Sequence, residues 1–521
     1  MKFLLNFLII QLTFLLNAQT IEYKNWFNSK KGLRTDQAYR LVKNKESTSV
    51  IVAVIDSGVD IDHEDLRGKI WKNLKEIEGN NLDDDNNGYI DDVYGWNFLG
   101  NSQGQNQEMA CLEKTRIVKE FRDKFERLEP KQVAKEDWNL FQTYLKAKKD
   151  LNEEIVKYTQ YKTQYEQLKN VFLYLPSALQ KIFNTTNFTK KDIEKWQPTT
   201  EDQIQLKEIA LAIYNENIKE EEIDEQVKQI ENMLAYGLNL SYNDRQFVGD
   251  NPFDLSQIKY GNKDVKGPEA IHGTHVAGII ASIRGNQIGI NGIATDVKIM
   301  TLRAVPNGDE QDKDIALAIK YAVDNGAKII NMSFGKSYSI NKKMVFDAMK
   351  YAEEKDVLIV HAAGNDGTNI NIYPNYPMPQ LADQDSVTLF LTIGASTSNN
   401  KKKVADFSNY GMKVDVFAPG KDIYSTIPGN KYKKLDGTSM AAPMVSGAAA
   451  FLKSYFPSLS MREIKTAIEN SVRKYDSYIQ PVPGKSYFSN FKDLCKTSGL
   501  VDLKNAVKFC EKINRINLMK K

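Results

Sequence analysis

Short runs of β-branched and other apolar residues recur along the chain and indicate strands buried on both faces. The first run, Val-Ile-Val-Ala-Val-Ile, ends at Asp56. Burial on both faces is typical of parallel sheets, which helices cover on each side. Further strands are predicted at 298–302, 328–333, 357–363 and 389–395, and helical periodicity separates them at 314–325 and 341–355. We therefore expect an α/β fold with a doubly wound, mostly parallel sheet.

Residues 103–247 follow a different pattern, which we interpret as an inserted α-helical subdomain. Apolar side chains recur there every three or four residues, the spacing that places them on one helix face. This stripe comprises Leu140, Tyr144, Ala147, Leu151, Ile155, Tyr158, Tyr165, Leu168 and Phe172. Pro176 is expected to end the helix, and shorter helices are predicted at 200–214 and 218–234. The pattern fits a solvated decoration as well as a lid or an exosite.

The amino-terminal residues predict export. Lys2 precedes an apolar run at 3–16, and Ala18 supplies a small residue near its end, which is the layout of a secretory signal peptide at 1–18. The run is shorter than the ~20 residues of a membrane span, and a buried amino-terminal helix is the alternative. No later apolar stretch approaches the length of a membrane span. We therefore expect a secreted or exported (periplasmic or extracellular) protein without a membrane span in the mature chain.

The remaining residues divide around the insertion. We expect a short amino-terminal segment at 19–48, an α/β domain formed by 49–102 and 248–510, and a carboxy-terminal tail at 511–521. The chain has 521 residues, with 70 basic and 67 acidic side chains, so it lacks the charge footprint of a nucleic-acid binder. Three cysteines are too few for a disulfide scaffold. Cys495 and Cys510 could pair in an exported protein, leaving Cys111 free.

Three segments carry side chains suited to catalysis. Asp56 closes the first strand, and sites in open α/β sheets form at the carboxyl ends of strands. His272 begins His-Gly-Thr-His-Val-Ala-Gly, whose small residues suit a helix packed on a sheet, and histidine exchanges protons near neutral pH. Ser439 lies in Asp-Gly-Thr-Ser-Met-Ala-Ala-Pro, where Pro443 fits a first helical turn. The serine would then lie at a helix amino terminus, which favours a nearby oxyanion.

Each of these residues also has an ordinary structural interpretation. Asp56 would serve as a turn residue and Ser439 as a helix cap. His272 and His275 could bind a metal ion, but no glutamate lies between them and no third ligand is evident. We therefore interpret His275 as structural.

Taken together, the three motifs resemble those of the subtilisin-like (subtilase) serine peptidases. The order Asp, His, Ser is that of subtilisin, and Asp-Ser-Gly, His-Gly-Thr-His and Gly-Thr-Ser-Met-Ala-Ala-Pro match residue for residue. The resemblance covers about 40–100 and 250–475. It implies a serine endopeptidase in which His272 takes the proton of Ser439, Asp56 orients the imidazole, and an acyl-enzyme intermediate forms.

The resemblance also implies an oxyanion hole and a cleft for extended protein or peptide substrates. Asn365, in His-Ala-Ala-Gly-Asn-Asp-Gly, matches the asparagine of the family's oxyanion-hole loop. Two segments would pair with the substrate backbone and form the walls of the specificity pocket. The residues of these segments are Ser333, Phe334 and Gly335 on one side and Ala362, Ala363 and Gly364 on the other. Phe334 and the small residues favour an apolar or aromatic residue before the cleaved bond.

An acidic loop beginning at Asp83 predicts a structural calcium site. Oxygen-bearing residues occupy loop positions 1, 3, 5 and 9, with glycine at position 6, as in an EF-hand. Tyr94 occupies position 12, so Asp92 is expected to replace the usual acid. The predicted ligands are Asp83, Asp85, Asn87, Asp91 and Asp92. The alternative is a solvated acidic turn, and the resemblance adds a second site at Asp65 and Asn286.

The sequence therefore predicts an exported serine endopeptidase with a structural calcium ion. The insertion stretches the spacing from Asp56 to His272 and is expected to shape substrate access. One alternative is a specialised maturation protease with a dedicated partner, and another is an inactive subtilase-fold binding module. The presence of Asp56 and His272 together with Ser439 and Asn365 favours an enzyme.

Overall fold

A computed structural model describes residues 25–216, 219–381 and 385–520. The predicted signal peptide lies outside these residues. The chain divides into a helical unit at Lys114–Tyr242 and an α/β unit formed by the residues on either side of it. The helical unit is narrower than the predicted insertion, because 103–113 and 243–247 belong to the α/β unit.

Within the described residues, nine strands form one sheet. Its strands are β1 Val50–Asp56, β2 Gly95–Asn97, β3 Val297–Arg303, β4 Ile329–Met332, β5 Leu358–Ala362, β6 Phe390–Ser396, β7 Val416–Pro419, β10 Arg473–Lys474 and β13 Gly499–Leu500. Across the sheet they lie in the order β10-β13-β7-β6-β5-β4-β1-β3-β2. Neighbours are parallel except for the antiparallel pair β10–β13. Two hairpins flank the sheet: β8 Ile423–Ile427 with β9 Lys431–Leu435, and β11 Ile479–Pro481 with β12 Phe488–Asn490. The prediction of a mostly parallel α/β sheet is confirmed.

The helices of the α/β unit include Ile271–Ala281, which we call the histidine helix, and Thr438–Tyr455, which we call the serine helix. The others are Thr35–Leu41, Asp312–Asp324, Lys342–Glu354, Met461–Asn470 and Leu503–Lys520, with short 3-10 turns at Trp26–Asn28, Glu64–Leu66 and Phe491–Asp493. A further helix, Glu113–Phe125, begins at the last residue before the helical unit. None of the described helices is both long enough and apolar enough to cross a bilayer.

Strand β1 shows how the sequence builds two cores. Its side chains alternate between the two faces of the sheet. Val52 and Val54 join the cluster that also contains the histidine and serine helices. Ala53 and Ile55 join the cluster formed with the helices that follow β3 and β4. Because both faces of the sheet are covered, the side chains of β1 that point to either face have to be apolar. This explains the unbroken apolar run in the sequence.

The strand order reverses direction beside β1. The chain passes from β1 to β2 and β3 on one side, and then crosses back to β4 on the other side of β1. A crevice opens at the carboxyl ends of the strands at such a switch point, and ligands bind there in open α/β sheets. Asp56 ends β1 and Ser333 directly follows β4, so both lie at this edge.

The helical unit is built around one long helix, Trp138–Phe183, that runs through Pro176. The prediction that Pro176 ends the helix is therefore wrong. An interior proline costs about 3 kcal/mol, but the flanking Leu175 and Leu179 are buried, and burying a leucine contributes about 1.5–3 kcal/mol. These two leucines cluster with Ile193, Ala210 and Ile213.

Shorter helices complete this unit. They are Lys190–Lys195, Glu201–Glu216 and Glu220–Asn232, followed by a π-helical turn at Met233–Gly237, with 3-10 turns at Pro130–Gln132 and Lys135–Asp137. Salt bridges from Lys162 to Glu231 (3.1 Å) and from Lys169 to Asp224 (2.6 Å) join the long helix to Glu220–Asn232.

The three cysteines all lie within the described residues, where they are buried and take part in no disulfide. Cys495 and Cys510 belong to different hydrophobic clusters, so the disulfide that the sequence left open is not formed. Burial raises the pKa of both thiols, to about 11 for Cys495 and about 12 for Cys510.

Candidate active site

Asp56 and His272 are joined by a hydrogen bond. The imidazole Nδ1 lies 2.7 Å from Oδ1 of Asp56, which also accepts the backbone N–H of Ser57 at 2.7 Å. Asp56 is 1% exposed, whereas the His272 side chain keeps 38% of its surface accessible. Burial lowers the pKa of His272, but the charge of Asp56 and this hydrogen bond outweigh the effect, so the pKa lies above its ordinary value. Nδ1 is therefore the protonated nitrogen, and Nε2 is free to accept a proton.

Gly273 allows the histidine helix to approach β1 closely enough for this contact. A Cβ atom at position 273 would lie 2.2 Å from the carbonyl oxygen of Gly58 and 3.2 Å from Cβ of Asp56. Any side chain would push the helix away from the strand end. The small residues after His272 in the sequence thus serve the packing that the site needs.

Ser439 is the second residue of the serine helix, and it exchanges hydrogen bonds with Ser333. Its Oγ donates to the main-chain oxygen of Ser333 at 2.9 Å, and Oγ of Ser333 donates to the main-chain oxygen of Ser439 at 2.9 Å. In a helix the oxygen of Ser439 would accept the N–H of residue 443. Pro443 has no N–H, so the hydroxyl of Ser333 supplies the missing donor.

A buried polar chain supports this arrangement. Nδ2 of Asn331 donates to Oγ of Ser333 at 2.9 Å, and Oγ of Ser446 donates to Oδ1 of Asn331 at 2.9 Å. These hydrogen bonds link β4 to the serine helix through fully buried groups, which hold each other in one geometry. Sequence reasoning missed the roles of Asn331 and Ser446. The signal was an asparagine within an otherwise apolar strand.

Asn365 and Ser439 present hydrogen-bond donors to a common space. Oδ1 of Asn365 accepts the backbone N–H (2.8 Å) and the hydroxyl (3.0 Å) of Thr438, which leaves Nδ2 as the outward donor. A Cβ atom at Gly437 would lie 3.5 Å from the backbone nitrogen of Ser439 and 3.6 Å from Nδ2 of Asn365. Glycine at 437 thus keeps open a space between two donors, which is the layout of an oxyanion hole.

The candidate substrate-binding segments lie at the carboxyl ends of two paired strands. Ser333, Phe334 and Gly335 follow β4, and Ala362, Ala363 and Gly364 begin at the last residue of β5. The two strands are parallel neighbours. Sequence reasoning placed these six residues on two facing segments, and the structure brings the segments together.

Asn375, which the sequence analysis missed, lies between these segments. Its Nδ2 donates to the main-chain oxygen of Ala362 at 3.0 Å. A Cβ atom at Gly335 would lie 2.5 Å from Nδ2 of Asn375, and one at Gly364 would lie 3.4 Å from its Cγ. An amide side chain therefore lies between the two candidate pocket walls. Its surroundings in the sequence, Tyr-Pro-Asn-Tyr-Pro, indicate only a turn.

Three carboxylates come together at the acidic loop, and one of them, from Glu76, lies outside the loop spacing used for the prediction. One carboxylate oxygen each from Glu76, Asp83 and Asp85 lie within 4.8 Å of one another. Among the described residues, Oε2 of Glu76 is buried and has no hydrogen-bond partner. Burial, and the charges of Asp92 and Asp85, raise the pKa of Glu76. A buried oxygen with no donor beside two further carboxylates fits a divalent cation with oxygen ligands.

Asp91 and Asp92, two of the predicted calcium ligands, have other partners among the described residues. The carboxylate of Asp91 accepts the backbone N–H groups of Gly79 (2.9 Å) and Asn81 (3.1 Å) and pairs with Lys263 at 2.6 Å. The ammonium group of Lys263 thus takes the place that a cation would have at Asp91.

Asp92 is held by neutral donors. It accepts from Nδ2 of Asn87 at 2.9 Å, from Asn73 at 3.0 Å, and from the hydroxyl of Tyr321. Burial raises the pKa of Asp92. Asn87 therefore turns its amide nitrogen toward Asp92, while its Oδ1 accepts the backbone N–H of Tyr89 at 2.8 Å.

The two residues of the second predicted calcium site are hydrogen-bonded to each other. Oδ1 of Asp65 accepts Nδ2 of Asn286 at 2.7 Å, and Oδ2 accepts the N–H of Ile290 at 3.3 Å. Both oxygens thus face donors. Nearby, the guanidinium of Arg284 donates to the carbonyl oxygen of Gly292 and to Asp36, each at 2.6 Å.

Asp56 and His272 are hydrogen-bonded at the carboxyl edge of the sheet, and Ser439, near a helix amino terminus, is hydrogen-bonded to Ser333 after the neighbouring strand β4. This is the architecture of subtilisin-type serine peptidases. The family model described as "Subtilase family" matches residues 47–484. The chain belongs to the subtilase family.

Curated relatives agree with this assignment. The thermophilic serine proteinase of Bacillus sp. (strain AK1) is 42% identical over 204 residues, which is 39% of this chain and 47% of that protein. Thermitase of Thermoactinomyces vulgaris is 41% identical over 204 residues, 39% of this chain and 67% of thermitase. The chain thus matches about half of the first relative. A solved protease from Pseudoalteromonas arctica PAMC 21717 aligns with 94% of this chain and 97% of that chain, at a TM-score of 0.48 and 18% identity.

Proposed function

We propose that the protein is an exported serine endopeptidase that hydrolyses peptide bonds with Ser439 as nucleophile, His272 as general base and Asp56 as its orienting partner. The observation that carries the proposal is the 2.7 Å contact between Nδ1 of His272 and the buried carboxylate of Asp56. This contact fixes the tautomer in which Nε2 accepts a proton, and it stabilises the imidazolium that forms.

The first half of the reaction forms an acyl-enzyme. Oγ of Ser439 attacks the carbonyl carbon while its proton moves to Nε2 of His272. The hydroxyl leaves its resting bond to the oxygen of Ser333 by a side-chain rotation, and catalytic hydrogen bonds commonly tighten only when substrate is present. The C–N bond then breaks, and the imidazolium gives its proton to the leaving amine.

The second half repeats these roles with water. His272 accepts a proton from water, the hydroxide attacks the acyl carbon, and Ser439 recovers its proton as the acid product leaves. In both halves a carbonyl oxygen becomes an oxyanion. The backbone N–H of Ser439 and Nδ2 of Asn365 are the donors proposed to stabilise it, supported by the space that Gly437 leaves between them.

Substrates are proposed to be proteins or peptides bound in an extended conformation between the two candidate segments. The main-chain groups after β4 and β5 provide affinity with little dependence on sequence. Selection would come from the residue before the cleaved bond, which enters the space between Phe334–Gly335 and Ala362–Gly364. Asn375 lies between those walls, so we propose that it limits the size of this residue.

We further propose a structural calcium ion at Glu76, Asp83 and Asp85. Bound there, it would neutralise a buried acidic cluster and stabilise the loop, with no part in the reaction. Export is proposed from the amino-terminal sequence alone.

Activity is tested with the purified full-length protein and its Ser439→Ala variant. We expect a serine-directed fluorophosphonate to label the wild type only, and unfolded casein to be cleaved by the wild type only. Ser337→Ala, which removes an exposed hydroxyl in the segment after β4, should behave as wild type. Absence of labelling would refute the proposed enzymatic activity and favour an inactive subtilase-fold binding module. Labelling without casein cleavage would favour a specialised maturation protease.

Calcium is tested by thermal unfolding of Ser439→Ala protein, which cannot digest itself. We expect calcium to raise Tm relative to excess EDTA, and Glu76→Gln to abolish that difference. Asn286→Ala should keep the difference, because Asn286 lies outside the acidic loop. A calcium effect that survives Glu76→Gln would overturn the assignment of this site.

A further inference from the structure

We propose that Lys336 is a positioning residue for the candidate substrate-binding segment 333–335 and for Asn375, which we call the floor of the candidate pocket. The inference rests on the proposed function, and it concerns a side chain that no motif of the family assigns. Lys336 directly follows Ser333, Phe334 and Gly335, and its ammonium group is buried rather than pointing to solvent.

The ammonium group of Lys336 has three acceptors from three parts of the chain. Nζ lies 3.2 Å from Oε2 of Glu113, 2.9 Å from Oδ1 of Asp312 and 2.8 Å from the main-chain oxygen of Glu310. An ammonium group offers three donors, so contacts with acceptors on separate parts of the chain restrict the position of the end of the side chain.

Burial gives these contacts their weight. Lys336 is 4% exposed, and Glu113, Glu310 and Asp312 are each 5% exposed or less. Lysine is almost never buried in this way unless it is paired, because an unpaired charge in the interior is strongly destabilising. The main chain at Lys336 thus cannot move away from these acids without exposing or unpairing a buried charge.

The main chain of Lys336 is in turn tied to the candidate pocket floor. Its N–H donates to the oxygen of Tyr376 at 3.2 Å, and the N–H of Tyr376 donates back to its oxygen at 2.8 Å. Tyr376 follows Asn375, whose amide lies between the two pocket walls. One side chain thereby fixes the end of the wall at Gly335 and the start of the floor at Asn375.

The acids also hold the turn that follows. Oδ2 of Asp312 accepts the hydroxyl of Ser339 at 2.9 Å and the N–H of Asn341 at 2.8 Å. Oε1 of Glu113 accepts the N–H of Ile340 at 3.3 Å. Each acid thus uses one oxygen for Lys336 and the other for 339–341. The network clamps the segment on both sides of the turn.

A prediction for catalysis follows from this geometry. The clamp consists of Lys336 with Glu113, Glu310 and Asp312. None of its contacts described above involves a triad residue, so the chemical step on a small acyl group should not depend on it. Binding of an extended peptide does depend on the position of the segment after β4. Loss of the ammonium group should therefore raise KM for extended substrates and leave kcat for a short ester nearly unchanged.

The test compares Lys336→Met with Lys336→Arg, Glu113→Gln and the exposed control Lys343→Met. The substrates are a peptide with four residues before the cleaved bond and a single-residue ester. We expect Lys336→Met to raise KM for the peptide about tenfold or more, since displacements near 1 Å have large effects, and to change ester kcat less than about threefold. Lys336→Arg should recover part of the loss, and Lys343→Met should match wild type.

Equal losses on the peptide and on the ester would show a purely structural role and overturn the proposal, as would an unchanged KM. Should Lys336→Met fail to fold, Glu113→Gln, which keeps a hydrogen-bond acceptor, carries the same comparison. Binding of the uncleaved peptide to Ser439→Ala, with and without Lys336→Met, separates this inference from the proposed activity. Weaker binding supports the clamp even in a protein that hydrolyses nothing, and unchanged binding refutes it.

Discussion

Ser333 and Ser439 each donate a side-chain hydrogen bond to the main-chain oxygen of the other, at 2.9 Å in both directions. The bond from Ser333 serves an oxygen that its own helix leaves unpaired, because Pro443 lacks the N–H that would reach it. The nucleophile is thereby fixed to the strand end along which substrate is proposed to bind. Pro443 is the sixth residue of the serine helix rather than part of its first turn, as the sequence had predicted, and the donor that it removes inside the helix is replaced by a side chain at the end of β4.

Replacing Ser333 tests this relationship by a double-mutant cycle. We expect Ser333→Ala to lower the free energy of unfolding by about 1–3 kcal/mol, because it leaves a buried carbonyl oxygen unsatisfied. In a Pro443→Ala background the helix regains an N–H for that oxygen, so the same substitution should cost less. Denaturant unfolding in Ser439→Ala protein measures both values. Equal costs in the two backgrounds would contradict the link between Ser333 and Pro443.

Asn365 is expected to act through its amide nitrogen. Asn365→Asp keeps an oxygen for Thr438 but removes the donor, so kcat should fall by about 10²–10³ while the protein stays folded. KM should change little, because the donor acts on charge that develops in the transition state. The steady-state kinetics of a peptide amide measure this, with circular dichroism as the check on folding. A variant with near-normal kcat would remove Asn365 from the site.

The pH dependence should follow from the raised pKa of His272. Only the neutral imidazole accepts the proton of Ser439, so kcat/KM should fall as pH drops through this pKa. Because Asp56 raises the value, the midpoint of the acid limb should lie above the ordinary histidine value of about 6.5. Asp56→Asn should move that midpoint to lower pH and reduce kcat about 10⁴-fold. A midpoint that stays in place in Asp56→Asn would contradict the assigned pair.

Asn375 should limit the size of the residue before the cleaved bond. Asn375→Gly removes the amide that lies between the two walls, so kcat/KM should rise for large aromatic residues relative to small ones. One methylene in such a pocket is worth about 10–200-fold in selectivity, and the change is expected within that range. A series of peptides that differ only at this residue measures the ratio. An unchanged ratio would place the pocket elsewhere.

Stability at acid pH should reflect His361, which is buried beside Phe334 and Phe390. Burial lowers the pKa of His361 to about 4. Between about pH 6.5 and pH 4 the unfolded chain therefore binds more protons than the folded one, and stability falls as pH drops through that window, by up to about 3 kcal/mol. His361→Phe should flatten this slope in Ser439→Ala protein. An unaltered slope would show that other groups cause the acid sensitivity.

The sequence predicted the sheet and the main motifs because these depend on local signals. The run that ends at Asp56 is apolar at every position because both faces of β1 are covered. Gly437, directly before the serine helix, marks the turn at which that helix begins. These features need no knowledge of distant residues.

The parts that escaped prediction are contacts between distant segments. Glu76 joins the acidic loop from outside its spacing, and Asn375 reaches the pocket from a turn. Lys263 pairs with Asp91, which looked like a calcium ligand. Pro176 failed as a helix stop because the leucines beside it are buried against other helices. No local pattern encodes such partners.

The backbone N–H of Cys111 donates to a carboxylate oxygen of Asp244 at 3.2 Å, so the chain leaves for the helical unit and returns from it at nearly one point. This placement matters while the protein is being synthesised. The two strands that flank β1 are β3 and β4, and both lie beyond the helical unit. At a translation rate of about 5–20 residues per second, the stretch from Asp56 to Val297 takes on the order of ten seconds or more. Throughout that time the apolar strand β1 is complete but lacks both neighbours, and shielding it from other nascent chains falls to chaperones or to transient local structure.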